Sequence, residues 1–532
     1  MANLSIMESS RRRKATGPRS KMGCKTCRIR RVKCDEAKPN CNKCSRTGRE
    51  CEWYSQEEWI HETPDSVVAS RSVSRSISPT TRGLASCSPQ ELRSYEFFRT
   101  RTTPQLAGSF PSEFWSTFLP RSTQHHATLW HAVVALGSIH ERFEADDLSV
   151  FASNIDSELG GFALKQYTTA LSELTKPVRG GNRQDVDVFL AACILFTSFE
   201  IMRGHHESAL THVKSGIKII GELQDASTPI GSSLSMVTLS TNPSIPIDAL
   251  TAPFIRLDSQ VCELQSTAGR FPILQPTHHH EPGFGPIIPP KFTSILEARN
   301  CYDYLYNDAI HKASDESASF TSPSIDESLP LSLATRTAIW RLHLWKAPFD
   351  ACAADLDPTD TASQALADLL RVKHLAASHL FDTSTVGPET KWDRHTNDFY
   401  DIVAAASRIA TTTPVGRKTI SLDAGIVLPL FNTAWKCRIS SLRREALAIL
   451  ASRPRQEGVW DGELSARVGK RIMEVEEEGF GEILDPADLP DWARVIEVNI
   501  RFELGQRRAV WSYSRRDRES GDVLHTVEEI AW

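Results

Sequence analysis

The stretch that decides the architecture of this chain is CKTCRIRRVKCDEAKPNCNKCSRTGREC, residues 24–51 of 532. Its six cysteines are separated by two, six, six, two and six residues. They form a repeat with a period of 17, in which the equivalent pairs are Cys24 and Cys41, Cys27 and Cys44, and Cys34 and Cys51. Because a Cys-x-x-Cys pair lets two thiolates reach one zinc ion from a single turn of chain, the pattern predicts a metal cluster.

The number of cysteines predicts how the metal is shared. Two tetrahedral zinc sites need eight ligand positions, and six thiolates fill them only when two thiolates bridge. The repeat assigns the bridging role to its leading cysteines, Cys24 and Cys41. One zinc ion would then be held by Cys24, Cys27, Cys34 and Cys41, and the other by Cys24, Cys41, Cys44 and Cys51.

A disulfide framework and a metallothionein-like zinc store are the alternatives for six closely spaced cysteines. Disulfides are typical of secreted chains, whereas residues 1–20 are polar and basic and lack the apolar segment of a secretory signal. A zinc store needs neither a basic insert nor a long globular partner. The aliphatic residues of the stretch are only Ile29, Val32 and Ala37, so zinc has to supply most of the folding free energy, on the order of 10 kcal/mol for a structural site.

The charge of the chain is strongly asymmetric. Residues 1–53 contain 15 basic and 5 acidic side chains, a balance of +10 in a chain of formal net charge −5, which leaves −15 for residues 54–532. Such a distribution separates a head that binds polyanions from an acidic body. Six thiolates with two zinc ions would add −2 to the head, which the basic excess also has to offset.

The two halves of the repeat differ in charge. Arg28–Lys33 (RIRRVK) contains four basic side chains, whereas Ser45–Glu50 contains two basic side chains and one acidic one. The first half is therefore predicted to face nucleic acid. Residues 24–32 lack proline and glycine and predict a short helix that ends in the major groove, where lysine or arginine can read guanine O6 and N7. The predicted base reader is Lys33, and the predicted phosphate contacts are Lys25, Arg28, Arg30 and Arg31.

The segments CKTCRIRRVKCD (24–35) and PNCNKC (39–44) resemble the binuclear zinc cluster of fungal transcription factors. Members of that family share two bridging cysteines and have a proline in the loop between the halves, matched here by Pro39. A basic residue before the third cysteine, matched by Lys33, typically contacts a CGG triplet. The resemblance implies a small zinc-cluster domain of two short helices that binds double-stranded DNA.

Composition divides the chain into four predicted segments: a basic disordered tail (1–20), the zinc cluster (21–54), a disordered Ser/Arg-rich linker (55–91) and a large all-helical regulatory domain (92–532), which makes the fold mostly α. Apolar residues at helical spacing predict helices over Ala127–Phe143, Val186–Arg203, His205–Leu223, Pro429–Leu450 and Leu464–Val475, and around Leu366–Leu370. Polar or proline-rich stretches predict loops over 225–246, 265–291 and 313–330.

The body offers no recognisable catalytic motif: no glycine-rich phosphate loop, no G-x-S-x-G and no H-E-x-x-H occurs in it. We therefore expect no enzyme. His278–His280 is a weak metal candidate in a proline-rich loop, and no apolar run reaches membrane length. Fragments such as HAVVALGSIHE (131–141) and RPRQEGVWD (453–461) resemble the fungal-specific regulatory domain that accompanies these clusters.

These observations predict a nuclear, zinc-dependent, sequence-specific regulator of RNA polymerase II transcription, with double-stranded DNA and the transcription machinery as partners. Many relatives dimerise through a coiled coil just after the cluster, but residues 52–91 contain no apolar heptad, so a homodimer would have to form without one. The alternative is an interaction or ligand-sensing regulator with little sequence-specific DNA binding. Enrichment of a CGG element from random DNA would distinguish the two.

Overall fold

The computed structural model describes residues 24–30, 32, 34–51, 87–145, 158–176, 184–224, 237–238, 243–264, 286–319, 331–383, 388–412, 418–503 and 508–531. The chain divides into two compact units, one within residues 1–78 and one within residues 79–532. The described part is mostly helical, which confirms the predicted fold class.

The first unit contains two short helices, α1 (Lys25–Ile29) and α2 (Asn42–Ser45). The predicted helix over 24–32 is thus confirmed for its central residues. Among the residues of this unit that the structure describes, the hydrophobic core consists of cysteines: Cys24, Cys27, Cys41 and Cys44 are fully buried, while Ile29 is 73% exposed. Apolar packing therefore contributes little to this unit, as its sequence predicts.

The first described helix of the second unit is α3 (Pro89–Phe97), whose start lies within the predicted linker 55–91. Ser88 and Glu91 form a capping box, in which the Ser88 hydroxyl accepts the Glu91 N–H and the Glu91 carboxylate accepts the Ser88 N–H. Pro89 occupies the first helical turn, where its missing N–H has no cost. The helix capped by Ser88 thus begins at Pro89, before the domain boundary at residue 92 that composition predicts.

The first half of this unit packs around one hydrophobic core. Its helices are α4 (Thr103–Leu106), α5 (Leu119–Ser122), α6 (Ala127–Glu144), α7 (Glu158–Thr175), α8 (Val186–Met202), α9 (His206–Gln224) and α10 (Ile247–Leu264), with π-helical turns at Phe98–Thr102 and Phe114–Phe118. Every residue of α8 except Phe189 is buried, so α8 is the central helix. Two-residue strands β1 (Gln184–Asp185) and β2 (Val237–Thr238) pair in parallel beside it.

A glycine turn joins α8 to α9, between the helices that were predicted over Val186–Arg203 and His205–Leu223. Gly204 has φ +68°, a left-handed conformation that favours glycine, and its N–H donates to Ile201 O at the end of α8. The two helices pack against each other. The sequence therefore located both helices and the one-residue gap between them.

The second half has its own core. Its helices are α11 (Ile295–Ser319), α12 (Leu333–Leu344), α13 (Lys346–Ala353), α14 (Thr361–Asp382), α15 (Thr396–Thr411), α16 (Val427–Lys436), α17 (Ser440–Ser452) and α18 (Gly462–Glu477), with 3-10 turns at Glu389–His395, Pro486–Asp488 and Asp491–Ala493. Strand β3 (Thr419–Ser421) pairs in parallel with β4 (Arg455–Glu457), which pairs antiparallel with β5 (Trp460–Asp461).

Two sequence predictions in this half are wrong. The continuous helix over Pro429–Leu450 is broken after Lys436, because Cys437 is extended and Arg438 turns inward, where its guanidinium contacts Glu476 at 2.6 Å. The loop predicted from residue 313 begins later, since α11 continues to Ser319. Most residues of the other predicted loops, and His278–His280, lie outside the described residues.

The chain ends in an antiparallel sheet that the sequence analysis did not predict. Its strands are β6 (Glu497–Glu503), β7 (Arg508–Arg516) and β8 (Val523–Ala531), in the order β6–β7–β8. Trp511 and Tyr513 of β7 lie on one face and pack against apolar residues of α16 and α18. The unit is thus helical with a small sheet at its C-terminal end. Among the described residues, no helix combines the length and hydropathy needed to cross a membrane.

Candidate metal centre and nucleic-acid interface

The six cysteine sulfurs of the first unit converge at one point. Cys24 Sγ lies 3.7 Å from both Cys41 Sγ and Cys44 Sγ, and Cys27 Sγ lies 3.6 Å from Cys41 Sγ. Four thiolates bound to zinc at about 2.3 Å are about 3.8 Å apart, the edge of the tetrahedron. A disulfide would need about 2.05 Å, and none of the six is disulfide-bonded. The spacing therefore fits metal ligation.

The sulfurs form two groups of four that share two members. In each group, the four sulfurs lie within 4.8 Å of one another. The groups are Cys24, Cys27, Cys34 and Cys41, and Cys24, Cys41, Cys44 and Cys51. They have the same composition as the two zinc sites expected from the repeat. The cluster thus fits two zinc ions with Cys24 and Cys41 between them.

The backbone holds the sulfurs in a pattern that also repeats. The N–H of Cys27 donates to Cys24 Sγ, and the N–H of Cys44 donates to Cys41 Sγ, both at 3.4 Å. In each half the leading cysteine therefore directly precedes a short helix and accepts the N–H of the cysteine three residues later. Such donors stabilise sulfur as thiolate, the form that binds metal.

The buried thiols need a nearby cation to be stable as thiolates. Burial raises the pKa of Cys24 and Cys44, and raises that of Cys27 to about 12. Burial also acts on Cys41, but hydrogen bonds from the Cys44 N–H and from neighbouring thiols outweigh it and lower its pKa to about 6. Crowded thiolates repel each other, and a bound divalent cation reverses that cost by deprotonating them outright.

Hydrogen bonds outside the cysteines join the two halves. Asp35 accepts the N–H groups of Asn42 and Lys43 at 3.0 and 3.3 Å, and the Asn42 side-chain amide at 2.7 Å. The first of these donors is the main cause that lowers the pKa of Asp35. The Thr26 hydroxyl donates to Glu50 O at 2.9 Å. Asp35 had no predicted role, although its position directly after Cys34 was the available signal.

The structure describes only some of the residues that were predicted to contact DNA. Lys25 and Arg28 lie on α1, and Arg30 follows it. Arg30 Nη1 donates to Thr47 Oγ1 at 3.2 Å, which uses one of the five guanidinium N–H donors to join the halves. Arg31 and Lys33 lie outside the described residues. The base-reading and phosphate-binding roles stay predictions.

The second unit contains two further clusters with metal-type side chains, Asp258–Cys262–His311 and His379–His395–Asp398. In the first, the His311 imidazole contacts Asp258 Oδ2 at 2.6 Å, and the Asn307 amide donates to the same oxygen at 2.9 Å. In the second, both imidazoles contact Asp398 Oδ2 at 3.1 Å. Each cluster satisfies most of its polar atoms internally, as structural hydrogen-bond networks do.

Comparisons with known proteins agree with this geometry. Residues 22–58 match the family described as "Fungal Zn(2)-Cys(6) binuclear cluster domain", and residues 93–255 match the "Fungal specific transcription factor domain". The first match contains all six cysteines and α1 and α2. The second contains α4 to α9 and parts of α3 and α10. The predicted zinc cofactor is thereby confirmed. The matched families consist of transcription regulators, which are not an enzyme class.

The curated relatives that the chain resembles are also named as regulators of transcription. The chain is 25% identical to the aspercryptin biosynthesis cluster-specific transcription regulator atnN of Emericella nidulans, over 95% of this chain and 96% of the relative. It is 30% identical to the transcription regulator lscL of Purpureocillium lilacinum, over 37% of this chain and 48% of the relative. It is 61% identical over 41 residues, 8% of each chain, to the transcriptional regulatory protein moc3 of Schizosaccharomyces pombe. No solved structure matches the chain.

Proposed function

Because the chain carries a fungal binuclear zinc cluster domain followed by a fungal-specific transcription factor domain, we propose that it binds CGG-type sites in the major groove and regulates RNA polymerase II transcription in the nucleus. The observation that carries this proposal is the presence of two groups of four cysteine sulfurs that share Cys24 and Cys41. They hold α1, with its basic residues, against α2.

The charge of the cluster supports DNA as its partner. Residues 24–51 contain nine basic and three acidic side chains, and the proposed zinc–thiolate cluster would lower the resulting +6 to about +4. Neutralising phosphates with such a head releases counterions and gives affinity for any DNA. Specificity has to come from base edges in the groove.

We assign base reading to Lys33, and phosphate binding to Lys25, Arg28, Arg30 and Arg31. Lys33 directly precedes the ligand Cys34, so the metal limits the positions that its backbone can take. In the 17-residue repeat, the position equivalent to Lys33 is Glu50, whose carboxylate would repel phosphate and cannot donate to guanine. This difference supports DNA contact through the first half.

The test is selection from a random oligonucleotide pool by the zinc-loaded full chain, followed by affinity measurements. A CGG element should be enriched. Lys33→Ala should weaken binding to that element by about 1–3 kcal/mol and relax its specificity. The matched control is Arg49→Ala, which removes an exposed basic side chain from the second half and should leave the selected sequence unchanged. Equal losses on the selected element and on random DNA for Lys33→Ala would contradict the assignment.

The second candidate function is a regulator with little sequence-specific DNA binding. No enrichment by a chain that retains two zinc ions would favour it.

The relative that aligns over 96% of its length is named for a biosynthesis cluster, and we propose that genomic occupancy be searched first near biosynthetic genes. Gel filtration with light scattering would test whether the chain forms a homodimer without a coiled coil.

A further inference from the structure

The second unit contains a large cavity, which is lined by elements of both of its halves. Its volume is about 620 Å³, within the range of sites that hold drug-sized molecules. Its wall is mostly apolar and is built from α9, α10, α11, α14, α16, α18, β5 and β6. These elements belong to several cores, so the cavity lies where the packed parts of the unit meet.

Aromatic side chains form much of the wall. The Phe431 ring is near those of Trp435 and Trp460, with ring centroids 6.0 and 6.1 Å away. Tyr302 stacks on Tyr306 with centroids 5.8 Å apart. Such rings offer flat apolar surface and favour edge or stacked contact with another ring. The lining therefore fits an aromatic molecule better than a flexible polar one.

Two residues that line the cavity each have a buried polar atom without a hydrogen-bond partner among the described residues. Glu263 Oε1 accepts the Tyr306 hydroxyl at 2.6 Å, but Glu263 Oε2 accepts no hydrogen bond from any described residue. The indole N–H of Trp460 likewise has no acceptor among the described residues. An unpaired buried polar atom is costly to a fold, and a molecule in the cavity that pairs with it removes that cost.

The charge around Glu263 restricts the ligand. Burial raises the pKa of its carboxyl group, with nearby Lys373 acting in the opposite direction. The Lys373 ammonium already donates to Asp303 Oδ1 at 3.4 Å, and it would repel a cationic ligand. Because the cavity has one carboxylate oxygen to satisfy and a cation nearby, an uncharged hydrogen-bond donor suits it best.

We infer that this cavity binds an uncharged aromatic small molecule whose O–H or N–H group donates to Glu263. The binding does not depend on DNA recognition, because every lining residue belongs to the second unit. A regulator with such a site couples its activity to the concentration of that molecule when the two states of the protein bind it unequally.

The experiment uses two probes of nearly equal shape, 2-naphthol and 2-methoxynaphthalene, of which only the first has a donor. Binding to the zinc-loaded full chain is measured by saturation-transfer NMR. 2-Naphthol should bind more tightly by about fivefold to tenfold, the ratio expected for one hydrogen bond. Glu263→Leu should abolish this preference, while Glu445→Leu, which changes an exposed carboxylate on α17, should keep it.

A second variant tests the place of binding. Ala376 of α14 lines the cavity, and Ala376→Phe should prevent both probes from binding. Ala362→Phe, at an exposed position of the same helix, is the matched control. The proposal is overturned by equal affinity for the two probes, by binding that survives Ala376→Phe, or by no binding up to the solubility limit of 2-naphthol. Zinc content and DNA affinity of the same samples show separately whether the zinc cluster and its proposed function hold.

Discussion

The six cysteines of the zinc cluster should contribute unequally to zinc binding, because two of them belong to both groups of four sulfurs and the others belong to one. This difference gives the sharpest prediction. Cys24 belongs to both groups, whereas Cys51 belongs to one. Cys24→Ser leaves three thiolates for each zinc ion, while Cys51→Ser leaves one group of four intact. The full chain should bind about two equivalents of zinc, Cys51→Ser about one, and Cys24→Ser close to none.

The size of the effect follows from the composition of the core. The buried side chains of the cluster are cysteines, and the aliphatic Ile29 and Val32 are 73% and 40% exposed. Within the described part of the cluster no apolar core would replace the metal, so loss of zinc should forfeit about 10–16 kcal/mol per structural site and unfold the cluster. A serine at position 24 can still accept the Cys27 N–H, so the variant reports on the metal more than on the helix start.

The assay is elemental analysis of purified full chain, with amide dispersion in NMR spectra as the measure of folding. Cys87→Ser is the matched control, because Cys87 lies in the second unit and outside both thiol groups. It should retain about two equivalents of zinc. If Cys24→Ser and Cys51→Ser lose the same amount of zinc, the sharing of Cys24 between two ions is wrong.

Three further predictions concern single side chains. Arg30→Ala should weaken binding to all DNA sequences alike and reduce the salt slope of log K by about 1; a sequence-dependent loss would contradict a phosphate role. His311→Gln should lower the free energy of unfolding by about 3–5 kcal/mol. Burial disfavours the His311 cation, but its contact with Asp258 prevails and raises its pKa to about 10. This stabilisation is complete below the ordinary value of 6.5 and declines as pH rises towards about 10, so chemical denaturation should find the variant and the original converging over that interval. In Gly137→Ala the new methyl group would overlap Ser94 O, and the denaturation midpoint should fall by the equivalent of about 1–3 kcal/mol; an unchanged midpoint would refute the close approach of α3 and α6.

The zinc cluster was predictable because its physics is local. Ligand spacing within 28 residues fixes which sulfurs can meet, and the inability of six thiolates to fill eight positions fixes the sharing. The helices α6, α8 and α9 were predictable for a similar reason. Their signals, continuous apolar periodicity and a glycine at position 204, are local features of these segments.

Elements decided by distant partners could not be predicted in this way. The break after Lys436 contains neither proline nor glycine, and it follows from the inward pairing of Arg438 with Glu476 of α18. The strands β7 and β8 contain short runs of apolar and polar residues that resemble loops until they pair. The cavity beside Glu263 depends on residues from His206 to Val498, which no local pattern relates.

The construction of that cavity bears on how regulators of this kind are dissected. Val498 of the final sheet and His206 of an early helix belong to the same wall. A chain truncated before β6 would lose part of that wall even if the sheet contacts neither DNA nor another protein. Deletion mapping would then assign to the C-terminal segment a regulatory role that belongs to the cavity, whereas point substitutions at Glu263 or Ala376 would separate the two.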